Sequence, residues 1–334
     1  MIKEAIQELT NGQNLSNTMV ETVMDEIMSG KASPIHMSAY LIALRMKGET
    51  TDEITASAVG MRKHGIHLNH DRDVLEIVGT GGDESNSFNI STTSSIVMSA
   101  AGVPVAKHGN RSVSSKCGAA DVLEALGVNI TITPEKMETV LKETDFAFMF
   151  AQIYHSAMKY VGPVRRELAT KTVFNILGPL TNPANANMQL MGVYSENLVE
   201  PMAQVLINLG VKRGMVVYGQ DGLDEISLSA PTTCCEIKNG RLTSYVLTPE
   251  DFGLTPCTKT DLIGGDASAN AEITRAILNG EMGPKRDAVL INVAACLHFI
   301  KNISFMEGVK LAADIIDSGK AMAKLNEFIK ATNA

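Results

Sequence analysis

Apolar positions near the start of the chain recur at helical spacing. Val20, Val23, Met24 and Ile27 share one face of a 3.6-residue period, and Tyr40, Leu41, Leu44 and Met46 continue the pattern. Ser33 followed by Pro34 marks a helix start, because proline in the first turn gives up an N–H that has no intrahelical partner. Thr50 and Glu53 have the spacing of a capping box ahead of Ile54, Val59 and Met61. Residues 1 to about 70 therefore read as helices only, with little chemistry on them.

From about residue 73 the pattern changes to alternating strand and helix signals. The predicted strands are 74–78, 103–106, 146–150, 188–194, 214–218 and 233–238. The predicted helices are 90–101, 118–126, 134–143, 197–209, 268–279, 285–300 and 304–318. This alternation predicts an α/β sheet with helices on its faces. The segment 155–187 breaks the rhythm. It is helical and polar and ends in GPLTNP, Gly178 to Pro183. It is expected to pack back onto the helical block. The smaller domain is then discontinuous, residues 1–70 completed by helices from about 155–187, with 71–334 as the α/β domain.

With 334 residues there is room for two domains and a large core. The net charge of -8 argues against a general nucleic-acid or membrane-surface binder, but is compatible with an anionic small molecule met by local positive charge. Aromatic residues make up 4% with no Trp, which excludes a base-stacking platform for single strands. Five scattered cysteines without a CxxC pair, and no signal-peptide pattern, predict a reducing, cytoplasmic setting. Cys234 and Cys235 should point to opposite faces of a strand. No span reads as transmembrane: Ser85–Ala106 is uncharged but rich in Ser, Thr and Asn, and Ala288–Ile300 is too short.

Four clusters could carry chemistry. The first is DVLEIVGTGGD, Asp73 to Asp83, where an apolar strand ends in Gly79, Thr80, Gly81 and Gly82. Behind it, Ser87, Asn89, Ser91 and Thr92 open a small-residue helix. Glycines let backbone N–H groups turn to an anion, and a helix N-terminus adds positive potential. The second is Lys107 to Asp121, with Lys107, Arg111 and Lys116 for charge, Ser112, Ser114 and Ser115 for hydroxyls, and Gly109 and Gly118 for close backbone approach. Two such loops at strand ends predict a crevice at the carboxyl edge of the sheet. The third, His155 to Leu168, offers Arg165 and Arg166 near a helix start; the arginine fork binds two oxygens of a carboxylate or phosphate. The fourth, Gly222 to Ser227, holds Asp224 and Glu225, which suit Mg²⁺ together with waters and substrate phosphates. Singly, each has an ordinary reading as solvated charge, helix caps or structural histidines. Together they complement one another, since cationic and glycine loops want phosphates and a carboxylate pair wants the metal that phosphates carry.

In this order the clusters resemble the anthranilate phosphoribosyltransferase family. The resemblance spans nearly the whole chain, including MDEIMSGKASP (Met24 to Pro34) and LIALRMKGET (Leu41 to Thr50). Its specific motifs are GTGGD, FNIST, KHGNRSVSS, AMKYVGPVRREL, NILGPLTNPA and GLDEIS. It implies a small all-helical domain plus a larger α/β domain with a central, mostly parallel sheet. It also implies a homodimer through the helical domain. The implied activity is transfer of a phosphoribosyl group from 5-phosphoribosyl 1-pyrophosphate (PRPP) to the amine of anthranilate, releasing pyrophosphate, in tryptophan biosynthesis. Gly79, Gly82, Asp83, Ser87, Asn89, Ile90, Ser91 and Thr92 would line the PRPP site. Lys107, His108, Gly109, Asn110, Arg111, Ser112, Val113, Ser114 and Ser115 would form a second, mobile loop over it. Ser91, Asp224 and Glu225 would hold two Mg²⁺ ions. Gly79, Asn110 and Arg165 would meet anthranilate, with His108 and His155 near its path.

No acid–base pair is expected, since anthranilate's neutral amine already carries a lone pair, and positioning by Lys107 and Arg165 should supply much of the acceleration. The chain departs from the family pattern at Ala119, where a serine is usual, and at Gln152, Tyr154 and Ser156 around His155. Two other readings stay open: a pyrimidine-nucleoside phosphorylase of the same fold, and a nucleic-acid-binding relative without transferase activity.

Overall fold

The computed structural model describes residues 1–112 and 116–334. It begins with four helices, α1 (Ile2–Thr10), α2 (Asn17–Met28), α3 (Pro34–Lys47) and α4 (Thr51–Arg62). Ser33 caps α3 by accepting from His36 N at 3.3 Å, with Pro34 at the first position. The capping box of α4 is formed, with Glu53 N donating to Thr50 Oγ1 at 3.2 Å and Thr50 N to Glu53 Oε2 at 2.8 Å.

Strand and helix then alternate: β1 (Leu75–Gly79), α5 (Ile90–Ala100), β2 (Val105–Gly109), α6 (Ala119–Ala125), α7 (Pro134–Thr144) and β3 (Phe146–Phe150). Three helices follow, α8 (Ala151–Tyr154), α9 (Met158–Leu168) and α10 (Phe174–Leu177). Next come β4 (Met188–Gly192), α11 (Val199–Asn208), β5 (Arg213–Gly219), β6 (Thr232–Lys238) and β7 (Arg241–Leu247). The chain closes with α12 (Ala267–Leu278), α13 (Pro284–Lys301), α14 (Phe305–Asp317) and α15 (Lys320–Asn333).

The strands form one sheet in the order β3-β2-β1-β4-β5-β6-β7. Pairings from β3 to β5 are parallel, and β6 and β7 add antiparallel. The sheet is thus mostly parallel, as expected. β7 and α15 lie outside the predicted elements. β7 is an edge strand, largely exposed and polar, joined to β6 through Asn239 and Gly240, both at positive φ as a two-residue hairpin demands. β2 starts two residues later than predicted and runs through Lys107, His108 and Gly109, because Val105 to Gly109 pair in register with Phe146 to Phe150. Those residues are therefore strand, and the loop expected from Lys107 onward begins at Asn110.

The core lies on both faces of the sheet. Leu75, Ile77, Val105 and Cys234 bury with α5 and α13, while Met191, Val216 and Cys235 bury with α11 and the N-terminal helices. The two neighbouring cysteines thus point to opposite faces. Val161 and Val164 of α9 and Phe174 and Leu177 of α10 share a cluster with Val20, Val23, Tyr40 and Leu41. Among the described residues no single helix is long and apolar enough to cross a membrane.

Candidate active site

The strand order reverses at β1, whose chain neighbour β2 lies on one side and β4 on the other, which is where open α/β sheets leave a crevice. β1 and β4 both end in glycine, and Gly79 and Gly192 are register partners. The turn carrying Asp224 and Glu225 is laid across them. A Cβ on Gly79 would fall 2.6 Å from Asp224 Cγ, and one on Gly192 would run into the Asp224 backbone. Gly81 N donates to Asp224 Oδ2 at 2.7 Å, and Asp224 N to Asp83 Oδ2 at 3.4 Å. Gly81 and Gly82 sit at φ 69° and 72°, a conformation that favours glycine.

Glu225 reaches the start of α5, where Ser91 N donates to its Oε1 at 3.2 Å. The N-cap residue Asn89 makes no side-chain cap of its own. The Asn89 side chain is used elsewhere, donating to Cys117 O at 3.2 Å and accepting from Asn270 Nδ2 at 3.0 Å. The first turn thus offers positive potential beside the carboxylates. Ser87 lies ahead of it, bridged to Ile263. Ile90 and Thr92 are buried.

Asp224 and Glu225 are buried, and both carboxyls are pushed well above the usual range, by burial first and then by a neighbouring carboxylate, Asp83 for Asp224 and Asp224 for Glu225. The Lys107 ammonium is buried in the same place. Its Nζ donates to Ile77 O at 2.6 Å and to Ser91 Oγ at 3.3 Å. Burial lowers its pKa against the raising pull of Glu225, Glu76 and Asp224.

Glu76, absent from the sequence-based site, explains how Lys107 fits. β1 and β2 pair only at Leu75 and Val105, and beyond that point the strands part. Glu76 Oε1 accepts the His108 N–H at 3.0 Å, Lys107 takes the Ile77 carbonyl, and Asn182 Nδ2 donates to Ala106 O at 2.8 Å. Side chains thereby satisfy ladder groups at the opening of the sheet.

Four successive carbonyls of the GPLTNP segment are each held by a different side chain. His108 Nδ1 donates to Gly178 O at 3.3 Å, Gln189 Nε2 to Pro179 O at 2.8 Å, Arg62 Nε to Leu180 O at 2.9 Å and His155 Nε2 to Thr181 O at 2.9 Å. Carbonyl partners fix the tautomers, leaving His108 Nε2 and His155 Nδ1 as bare lone-pair nitrogens. Both atoms are buried with no hydrogen-bond partner among the described residues. Burial lowers His108 to about 3 and His155 to about 4, so both rings are neutral. The rings meet edge to face with centroids 5.0 Å apart. Gln189, Arg62 and Glu76 were missed by the sequence reading; the available signal was a single polar residue inside an apolar strand for Glu76 and Gln189.

The loop after β2 folds onto α6. Arg111 pairs with Asp121 at 2.9 Å and Glu124 at 2.8 Å, so its guanidinium is already engaged. Ser112 N and Gly118 N both donate to Asp121 Oδ2 at 2.9 Å, and Asn110 O accepts from Ala120 N at 3.1 Å. Val113, Ser114 and Ser115 lie outside the described residues.

Arg165 lies in the last turn of α9, not near a helix start, because the helix begins at Met158 and carries Pro163 inside it. Its guanidinium is half-buried over the Phe174 ring, 5.5 Å from the centroid, and forms no ion pair among the described residues. It is not bonded to the carboxylate cluster. The chain after it reaches the glycine loop, where Lys171 Nζ donates to Gly82 O at 3.3 Å.

Among the described residues no group of three or more His, Cys, Asp and Glu forms a ready metal cage. A buried carboxylate pair with a serine hydroxyl nearby is still the hard-oxygen set that Mg²⁺ shares with waters and phosphates. The desolvated, mutually repelling acids fit a cation there.

The chain is 65% identical, over 100% of its length and 99% of the relative's, to an anthranilate phosphoribosyltransferase of Lachnoclostridium phytofermentans. It is 62% identical over 100% of both chains to one from Methanobrevibacter smithii. This chain belongs to the anthranilate phosphoribosyltransferase family. Residues 71–322 match the family described as "Glycosyl transferase family, a/b domain" and residues 3–65 "Glycosyl transferase family, helical bundle domain". The structure superposes on the crystal structure of anthranilate phosphoribosyltransferase from Thermus thermophilus with a TM-score of 0.94 and 41% identity, covering 99% of each chain. It superposes on the Saccharomyces cerevisiae enzyme in complex with PRPP and Mg with a TM-score of 0.92 and 28% identity, covering 99% of this chain and 98% of that one.

The departures from the family pattern fall in distinct places. Ala119 begins α6 and packs against Gly109, where a Cβ would come 3.0 Å from its own. Gln152 and Ser156 are exposed, whereas Tyr154 is buried and its carbonyl accepts from Ile66 N at 2.8 Å.

Proposed function

We propose that this chain transfers the phosphoribosyl group from PRPP to the amine of anthranilate, giving N-(5-phosphoribosyl)anthranilate and pyrophosphate, as a step of tryptophan biosynthesis. The observation that carries the reading is the Asp224–Glu225 turn, seated on the glycine ends of β1 and β4 and bonded to both Gly81 and the start of α5. It places an acidic cation holder beside an anion cradle. The yeast relative solved in complex with PRPP and Mg supports the same pairing of ligands.

In this reading the Gly79–Asp83 loop and Ser87 to Thr92 receive the phosphates of PRPP. Ser91, Asp224 and Glu225 hold Mg²⁺, two ions being the expected number. Bound there, Mg²⁺ neutralises charge on the departing pyrophosphate. Lys107 works from beneath. It steadies the Ser91 hydroxyl and the Ile77 carbonyl and balances the acids, rather than closing over the sugar. Arg165, a half-buried cation without an ion-pair partner among the described residues, is matched to the anthranilate carboxylate. The bare Nε2 of His108 is an acceptor suited to aim the amine, and neither neutral histidine is needed as a strong base. Asn110 and His155 complete the anthranilate side, and the loop from Asn110 onward, Val113, Ser114 and Ser115 included, covers the sugar phosphate.

Residues 1–70 with the 155–187 helices form the helical domain of a cytoplasmic homodimer. Ile35 and Met46 of α3, 79% and 82% exposed, are apolar surface for such an interface.

The test is direct. Mixing the protein with anthranilate, PRPP and Mg²⁺ should lower anthranilate fluorescence, and EDTA should stop the change. No change at high enzyme concentration, together with phosphorolysis of thymidine or uridine, would favour the phosphorylase reading instead. A salt-dependent gel shift without transfer would favour a nucleic-acid-binding relative.

A further inference from the structure

Asp224 and Glu225 stand on a connection, residues 220–231, that contains neither helix nor strand. Catalytic geometry on such a segment must be imposed from outside it. Most of the ties nearby are local. Ser227 N donates to Thr232 Oγ1 at 3.0 Å, and Asp221 accepts from the hydroxyls of Ser227 and Ser229. One tie comes from the core.

Asn292 lies in the middle of α13 and is fully buried. From Ala288 to Ala295 every other residue is Ala, Val, Leu or Ile. Asn292 Oδ1 accepts from Ile226 N at 3.1 Å, while its Nδ2 donates to Ile226 O at 3.1 Å and to Ala288 O at 2.9 Å. Both amide hydrogens are used, and only one orientation of the amide satisfies all three partners. One side chain thus grips both backbone groups of the residue that follows Glu225. α13 also packs directly against α5, which carries Ser91. The same helix therefore supports both sides of the Ser91–Glu225 contact.

We propose that Asn292 is a positioning residue for the metal-binding carboxylates. By clamping Ile226 to α13 it sets where Asp224 and Glu225 stand relative to Ser91 when Mg²⁺ and PRPP bind. The proposal rests on the functional reading above. Groups that orient metal ligands typically cost 10–100-fold in affinity when lost. A buried amide serving packing alone would have no such effect on a metal.

The experiment titrates Mg²⁺ by calorimetry against the full-length protein in the presence of PRPP, for the wild type, Asn292→Leu and Leu325→Ala. Leu325 is equally buried but sits on α15 and bonds nothing in the turn. Asn292→Leu should raise the half-saturating Mg²⁺ concentration by roughly tenfold or more, with the anthranilate KM little changed. Leu325→Ala should lower the melting temperature without moving the Mg²⁺ requirement. If Asn292→Leu does not fold, Asn292→Asp is measured in its place, since it keeps the acceptor for Ile226 N and loses both donors. A folded Asn292 variant with the wild-type Mg²⁺ requirement overturns the proposal alone. A wild type that takes up no Mg²⁺ with PRPP overturns the functional reading and this inference with it.

Discussion

Gly79 and Asp224 touch so closely that the smallest side chain at residue 79 would displace the carboxylate, its Cβ falling 2.6 Å from Asp224 Cγ. The glycine is needed here for space, since its backbone is not in the left-handed region. Gly79→Ala should therefore push Asp224 off its bond with Gly81. Misplacement by about 1 Å can cost on the order of 10²-fold in rate, and overpacking costs about 1–3 kcal/mol. Steady-state kinetics and a thermal melt should show a large loss of kcat/KM with a modest loss of stability. A variant with wild-type kinetics would show that Asp224 is not where the chemistry happens.

Lys107 is the buried counter-charge to Glu225, Glu76 and Asp224. Lys107→Met keeps the bulk but removes the ammonium. Breaking a buried charge arrangement from one side costs about 3–5 kcal/mol, so denaturant unfolding should show a drop of that order, together with loss of transfer. A Met variant as stable as the wild type would mean the acids are already neutralised by protonation.

Arg165→Ala should act on anthranilate. A hydrogen bond to a charged group is worth about 1.5–3 kcal/mol, which corresponds to roughly a 10–100-fold rise in the anthranilate KM. The PRPP requirement should change little. The reverse pattern would place Arg165 on the other substrate.

His155 gives a signed pH dependence. Burial holds it at about 4 in the folded chain against an ordinary 6.5, with His67 and Arg62 adding to the lowering and the neutral His108 ring packed on it. The unfolded chain binds the proton first as pH falls. The contribution is therefore complete above pH 6.5 and is lost as pH falls from there to about 4. At about 1.4 kcal/mol per pH unit, the loss approaches roughly 3 kcal/mol. His155→Gln can still donate to Thr181 O and lacks the titration. Urea unfolding of the two proteins should be similar near neutral pH and separate toward pH 4, where the wild type loses stability that the Gln variant keeps. Parallel curves would remove His155 from the acid response.

The parallel sheet was legible because buried strands read as apolar runs, cut off by glycine at Gly79 in β1; the run predicted as 188–194 ends in the structure at Gly192. β7 was not, since an exposed edge strand with Arg241, Thr243 and Ser244 lacks an apolar run, although Asn239-Gly240 is a hairpin signal. α15 follows Gly319, an N-cap residue with no side chain to cap it, and so gives no start signal. The carboxylate pair and the glycine loop were legible as motifs. The supports were not. Glu76, Gln189, Asn292 and Arg62 act through partners remote in sequence; the first three show locally only as a polar residue among apolar ones, and Arg62 as one charge beside Lys63 and His64. Arg165 was expected near a helix start but stands in the last turn of α9, which runs through Pro163.

The most direct measurement is a crystal structure of this protein soaked with PRPP and Mn²⁺ as an anomalous stand-in for Mg²⁺. The account predicts an anomalous peak within bonding distance of Asp224 or Glu225, with the diphosphate lying on the Gly79–Asp83 amides and the start of α5. A metal and diphosphate bound together elsewhere, with this crevice holding neither, would contradict it.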